Sequence, residues 1–144
     1  MTHHCHNTLL LMCKAESVMA AKQALLREPD STKPVLDFSL LLPPPASLQQ
    51  AKRNKAFIQA LKRWRTQDWS TQSNGVLTDI KEDKQSLQVQ FTTIWSPPIK
   101  VYQALAAQWP NLGYVYLYHN SKAFLWGMAW YQDDLWTVHE TMYA

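Results

Sequence analysis

The stretch Ser86 to Pro110, SLQVQFTTIWSPPIKVYQALAAQWP, constrains the fold more than any other part of the chain. Leu87, Val89, Phe91, Thr93 and Trp95 alternate with Gln88, Gln90, Thr92 and Ile94. A period of two predicts a half-buried β-strand, with Trp95 in its apolar row. Ser96-Pro97-Pro98 then stops the strand and opens a helix. Ser96 suits the cap position, where a hydroxyl takes up free N–H groups of the first turn. Proline suits the first helical positions, where no amide hydrogen is needed. Val101, Leu105 and Trp109 follow at spacings of four, with Pro98 and Tyr102 beside them, and make one apolar helical face. Pro110 and Gly113 end the helix. A strand therefore feeds a packed helix through a rigid corner. No reaction is legible in these residues.

The rest of the chain extends that unit. Asn7 to Cys13 predicts a short, largely buried first strand, and Ala15 to Glu28 a helix with Val18, Ala21, Leu25 and Leu26 on one side, ended by Pro29-Asp30-Ser31. Leu36 to Leu42 is apolar and fits either a strand or an extended packed segment. Pro43 to Pro45 forbid both helix and ladder pairing. Ser47 to Arg65 predicts a second helix. Leu48, Ala51, Ile58, Leu61 and Trp64 lie on or near one arc, and Lys52, Arg53, Lys55, Lys62 and Arg63 on the other. Gln67 to Asn74 is polar and reads as a loop. Val76–Lys81 and Leu87–Trp95 predict a hairpin that turns near Glu82-Asp83-Lys84. After the helix over 96–109 come strands at Tyr114–His119, Phe124–Tyr131 and Leu135–Glu140, with a turn at Gln132-Asp133-Asp134. The order is strand, helix, helix, hairpin, helix, then an antiparallel meander. It predicts an α+β fold, a mostly antiparallel sheet covered by helices on one face.

At 144 residues the expectation is one domain over 1–144. Nearly half the residues are apolar, seven are Trp and three are Gly, which is the composition of an ordered globular protein. A net charge of +3 permits acidic partners without demanding them. Cys5 and Cys13 are too few for a disulfide scaffold. On one strand they would stand about 26 Å apart, too far to bridge. The N-terminal Thr2-His3-His4-Cys5-His6 lacks the basic-then-apolar pattern of a signal peptide. The longest apolar runs, Leu9–Cys13 and Leu40–Pro45, are far short of a membrane span. The expected location is the cytoplasm, without membrane attachment.

Several stretches together resemble the YubB ferredoxin-like family of small plasmid- and phage-encoded proteins. His3-His4-Cys5-His6-Asn7-Thr8-Leu9 resembles an Asn-Trp-Cys-x-Asn-x-Leu opening. Leu36-Asp37-Phe38, followed by the proline-containing Leu40 to Pro44, resembles a second family segment. Trp69-Ser70-Thr71-Gln72-Ser73-Asn74 echoes Trp-Gly-Thr-x-x-Asn. Phe91, Thr93, Trp95, Ser96, Pro97 and Pro98 match Phe-x-Thr-x-Trp-Ser-Pro-Pro, the most specific of these motifs, and Trp109-Pro110 matches the aromatic–proline helix end. The chain departs from the pattern at His4, where the family has Trp, and at Ser70, where it has Gly. Asn120-Ser121-Lys122 replaces an acidic, glycine-rich segment. The resemblance implies a ferredoxin-like two-layer sandwich with an extra C-terminal strand hairpin and a mobile-element origin. It implies no reaction.

Candidate chemistry is sparse. His3, His4, Cys5 and His6 are metal-ligand types, but neighbours on a strand point to opposite faces. At most His4 with His6, or His3 with Cys5, would share an ion, with more ligands needed from His119, His139, Cys13 or acidic residues. A polar strand start with Cys5 packed inward is the expectation. Cys5 has histidines nearby but no glycine turn to form an oxyanion hole, and no phosphate-cradling glycine loop exists. Tyr114, Tyr116 and Tyr118, with Trp126 and Trp130, form aromatic rows suited to a protein interface or to stacking bases. Lys52, Arg53, Lys55, Lys62, Arg63 and Arg65 form a basic arc suited to an acidic protein surface or to phosphates. A solvated helix face is the plainer account of that arc.

The expectation is therefore a non-enzymatic binding protein with no cofactor and no metal. It docks on a host or defence-system protein complex, in the manner of an anti-CRISPR inhibitor. The partner-binding candidates are Lys52, Arg53, Lys55, Lys62, Arg63, Arg65, Tyr114, Tyr116, Trp126 and Trp130. The alternative is a single-stranded nucleic-acid binder that uses the basic helix and the aromatic strands.

Overall fold

Alternation of apolar and polar residues builds the centre of the sheet. A computed structural model of the chain describes residues 4–12, 15–28, 33–109, 113–120, 125–132 and 135–142. Strand β1 (His4–Met12) buries Cys5, Asn7, Leu9 and Leu11 and turns His4, His6, Thr8, Leu10 and Met12 to the opposite face. Helix α1 (Ala15–Leu25) buries Val18, Ala21 and Leu25. Next, β2 (Leu26–Arg27) and β3 (Val35–Leu36) pair as a short ribbon. A 3-10 turn at Phe38–Leu40 follows, capped by the Asp37 carboxylate, which accepts from Ser39 N–H. Then come α2 (Ala46–Gln49), α3 (Lys55–Asp68), β4 (Val76–Asp83), β5 (Ser86–Ile94) and α4 (Ile99–Gln108). The described chain ends with β6 (Gly113–Asn120), β7 (Leu125–Gln132) and β8 (Leu135–Met142).

The six long strands form one sheet in the order β4-β5-β1-β6-β7-β8, and every adjacent pair is antiparallel. β1, α1 and β4 make one crossover, with β5 lying between its strands. β5, α4 and β6 make the second, with β1 between them. This is the split β-α-β arrangement of a ferredoxin-like sandwich, widened at one edge by the β7–β8 hairpin. The fold is α+β. Val101, Tyr102, Leu105 and Ala106 of α4, with Val18, Ala21 and Leu25 of α1, close over Leu9, Leu11, Leu87, Val89 and Phe91. Each of the Val, Leu and Phe side chains among these contributes about 1.5–3 kcal/mol by burial. Among the described residues, no helix is long and apolar enough to cross a membrane.

The structure corrects several sequence expectations. The helix expected over 47–65 is two helices, because the Asn54 side chain accepts from Phe57 N–H (3.0 Å) and caps a new start. Lys52 and Arg53 therefore precede α3. The first helix stops at Leu25 rather than Glu28, since Leu26 and Arg27 leave to pair with β3. The Leu36–Leu42 segment is a strand end followed by a 3-10 turn. The hairpin turn comes after Asp83. Ser96 does not cap α4: the cap residue is Pro98, and no side chain bonds there. Trp95 does not join the buried row, because β5 ends at Ile94. The proposed turn at 132–134 and Cys13 fall partly or wholly outside the described residues.

Candidate functional site

The corner after β5 is held in an uncommon conformation. Ser96 N–H bonds back to Ile94 O (2.8 Å), and Trp95 between them has φ 68. That is a three-residue γ-turn of the rare, strained kind. Ser70 in the facing loop has φ 67. The two strained residues are tied to each other's segments. Ser96 Oγ donates to Ser70 O (2.6 Å), and Thr71 Oγ1 donates to Ile94 O (3.2 Å). The hydroxyl expected to cap a helix thus fastens a loop to the corner. Ser70 stands where the resembled family has glycine, the residue that adopts positive φ without a steric penalty.

A buried polar chain braces the corner from below. Asn7, 3% exposed, donates to Cys5 O (3.1 Å) and to Thr93 Oγ1 (3.0 Å), and Thr93 Oγ1 donates to Ser96 O (2.8 Å). Tyr102 Oη donates to Asn7 Oδ1 (3.4 Å). Burial, then the nearby Cys5 and Tyr118, pushes the Tyr102 hydroxyl well above the ordinary tyrosine value. The loop side is fixed as firmly. Trp69 Nε1 donates to Leu42 O (3.0 Å), Asn74 Oδ1 accepts from Phe38 N–H (2.8 Å), and Lys100 Nζ donates to Gln67 O. Residues quoted above for the family resemblance, Cys5, Asn7, Phe38, Trp69, Asn74, Thr93 and Ser96, are therefore parts of one support.

Above this support lies a groove of about 480 Å³ between α3 and the 72–73 loop. Ile58, Leu61, Lys62 and Arg65 form one wall, Gln72 and Ser73 the other, and Ile94 and Trp95 the end. Trp95 is 45% and Ile58 53% exposed. The Arg65 Cζ sits 5.0 Å from the centroid of the Trp69 ring, and its buried Nε has no hydrogen-bond partner among the described residues. Burial lowers its proton affinity, and the Asp37 carboxylate partly offsets this. Arg65 also lines a second hollow, on the side of Pro43, Leu48, Arg53 and Phe57. Lys62 and Arg63 edge a third with Thr66 and Gln67.

The structure divides the sequence candidates. Lys62 and Arg65 meet at the groove, Arg63 lies beside it, and Arg53 stacks near Phe57 at 5.8 Å. Lys52, before the Asn54 cap, and Lys55, the first residue of α3, are exposed. The aromatic candidates belong elsewhere. Tyr114 and Tyr116 pair in register with Leu11 and Leu9, and Trp126 and Trp130 with His119 and Val115. The side chains of all four lie outside the described residues. Tyr118, of the same row as Tyr114 and Tyr116, is buried and faces Gly127, where an added Cβ would collide with its ring. Three strand spacings, about 14 Å, separate β5 from β7. Trp95, Ile58, Gln72 and Ser73 are groove residues that sequence reasoning missed. Pro97 carried the one available signal: it cannot continue a ladder, so the strand must end before it.

Cys5 is fully buried. The His6 and His119 rings stack at 6.5 Å on the opposite face of the sheet. Among the described residues, no three His, Cys, Asp or Glu side chains converge as a metal site would require.

Residues 68–141, slightly more than half of the chain, match the family model of the ferredoxin-like domain in Api92-like protein. The match begins at the last residue of α3 and includes the 70–74 loop, the Trp95 corner and α4. β1, which completes the sheet between β5 and β6, precedes it. Neither a curated protein nor a solved structure matches the chain significantly.

Proposed function

The chain belongs to the family of ferredoxin-like domains in Api92-like proteins, and from that premise we propose that it is a non-enzymatic binding protein that docks on a host protein complex. The observation that carries this reading is the groove beside α3, where Lys62 and Arg65 flank an exposed indole on a braced corner. Exposed Trp and Arg on rigid supports are the usual anchors of protein interfaces. The closer assignment to the YubB group, with its plasmid or phage origin, belongs to the same proposal. It is supported by the motifs around Cys5, Phe38 and Trp95. In that setting the protein, acting as one domain in the cytoplasm, inhibits a bacterial defence complex by occluding a nucleic-acid channel or a subunit interface. The test is co-purification of the tagged chain from nuclease-treated host lysate, read by mass spectrometry. Absence of any stable protein partner counts against the proposal.

One observation favours a second reading. Arg63 lines an adjoining hollow that shares Lys62 and Gln72 with the Trp95 groove, and an indole can stack a base while cations hold phosphates. A single-strand binder of this kind would lose affinity steeply with added salt. Absent or salt-insensitive binding of short oligonucleotides removes this reading.

A further inference from the structure

We infer that the groove beside Trp95 recognises an acidic, amphipathic protein segment, whose apolar side chain rests against Trp95 and Ile58 while its carboxylate bonds to Arg65 and Lys62. This rests on the docking reading and specifies the partner's chemistry.

Charge complementarity is the first argument. The groove carries two cations and no carboxylate among its lining residues. Among the described residues, neither Lys62 nor Arg65 has a carboxylate within ion-pair distance; Asp37, which acts on Arg65 only through its field, is paired with Arg27 (3.4 Å) and accepts from Ser39. Arg65 is also held ready. Its guanidinium lies against Trp69 and is partly stripped of water, so little ordering remains when a carboxylate arrives. An arginine fork matches a carboxylate in two-point geometry.

The apolar half of the groove narrows the partner class. Ile58, Leu61, Ile94 and Trp95 supply half of the lining residues. Single-strand binders line a basic track with successive aromatic platforms. Here one indole stands among aliphatic side chains, which suits Leu or Phe better than a row of bases. The volume, about 480 Å³, is within the range of sites that enclose a few side chains. The γ-turn explains why the indole stays outward: three hydrogen bonds from Ser96 and Thr71 impose a backbone that Trp does not favour.

The experiment uses the full chain, a short fluorescein-labelled Glu/Leu/Phe peptide, and oligothymidine of similar length. Anisotropy titrations at about 50 and 200 mM salt are combined with nitrogen-15 spectra of the Trp indole and Arg Nε groups. The peptide is expected to shift the Trp95 and Arg65 signals. Trp95→Ala and Lys62→Glu should each weaken its binding by about tenfold or more, and Lys81→Glu, on exposed β4, by less than about twofold. Amide spectra of each variant establish that it is folded. Peptide binding that leaves these signals and affinities unchanged overturns the inference. So does oligothymidine binding the groove more tightly than the peptide. A host partner retained equally by wild type, Trp95→Ala and Lys62→Glu also overturns it, while leaving docking intact on another surface. Peptide bound in the groove with no host partner captured supports the groove's chemistry and removes the docking reading instead.

Discussion

Replacing Trp95 by alanine and, separately, by glycine measures the strain stored in the corner. Both changes remove the same indole. With Trp95 45% exposed, slightly over half of a Trp side chain's roughly 150–250 Å² is covered, or about 80–140 Å². At about 25 cal/mol per Å², that loss is about 2–3.5 kcal/mol, an upper estimate because the unfolded chain already hides some surface. The two variants differ in the backbone alone. Alanine keeps the cost of a left-handed residue, about 1–2 kcal/mol, and glycine escapes it. Trp95→Gly is therefore expected to be about 1 kcal/mol more stable than Trp95→Ala, or about 2–4 °C in Tm. At an ordinary position the order is reversed, with glycine the less stable by about 0.4–1 kcal/mol. Urea titrations with equal m-values for the two variants supply the comparison. If the glycine variant is the less stable of the pair, Trp95 is not strained and the account of the corner fails.

Ser70→Gly tests the facing loop in the same way: with φ 67 at this position, it should raise stability by about 1 kcal/mol, read as a higher urea midpoint. Gly75→Ala should cost about 1–3 kcal/mol by overpacking, because the new Cβ would lie 2.6 Å from Leu36 Cδ2 and Phe91 Cδ2; an unchanged midpoint would contradict this. Asn7→Ala removes the buried bonds that Asn7 makes to the Cys5 carbonyl, Thr93 Oγ1 and the Tyr102 hydroxyl and should cost about 1–3 kcal/mol in the same assay. Tyr102 carries a pH signature. Its folded-state value is raised, so its contribution is complete below the unfolded tyrosine value and falls as pH rises past about 10. Tyr102→Phe should show a shallower alkaline loss of stability than wild type, followed by urea midpoints from neutral to alkaline pH.

Local rules reached far into this fold. The two-residue period of Leu87 to Thr93 and the four-residue spacing of Val101 and Leu105 are properties of neighbours along the chain, and both elements form where those periods run. The same rules failed at Ser47–Arg65, where a single side chain, Asn54, outbids continuation of the helix. They failed again at Trp95, where period two extrapolated one residue beyond the last ladder bond. The basic arc was legible as a pattern of charge. Which of its members share a groove was not, because that depends on where α3 lies against the 72–73 loop.

Element types, the buried faces of β1, β5 and α4, and the abrupt stop before Pro97 follow from residues close together in the chain, since backbone geometry and side-chain period act over a few positions. The central place of β1, the left-handed backbones of Ser70 and Trp95, and the groove itself exist only after distant segments meet. Asn7 finds Thr93, Ser70 finds Ser96, and Leu61 and Arg65 come to stand beside Ile94 and Trp95. Those contacts hold a conformation that no short segment would keep alone, because the hydrogen bonds that offset its strain come from other parts of the chain.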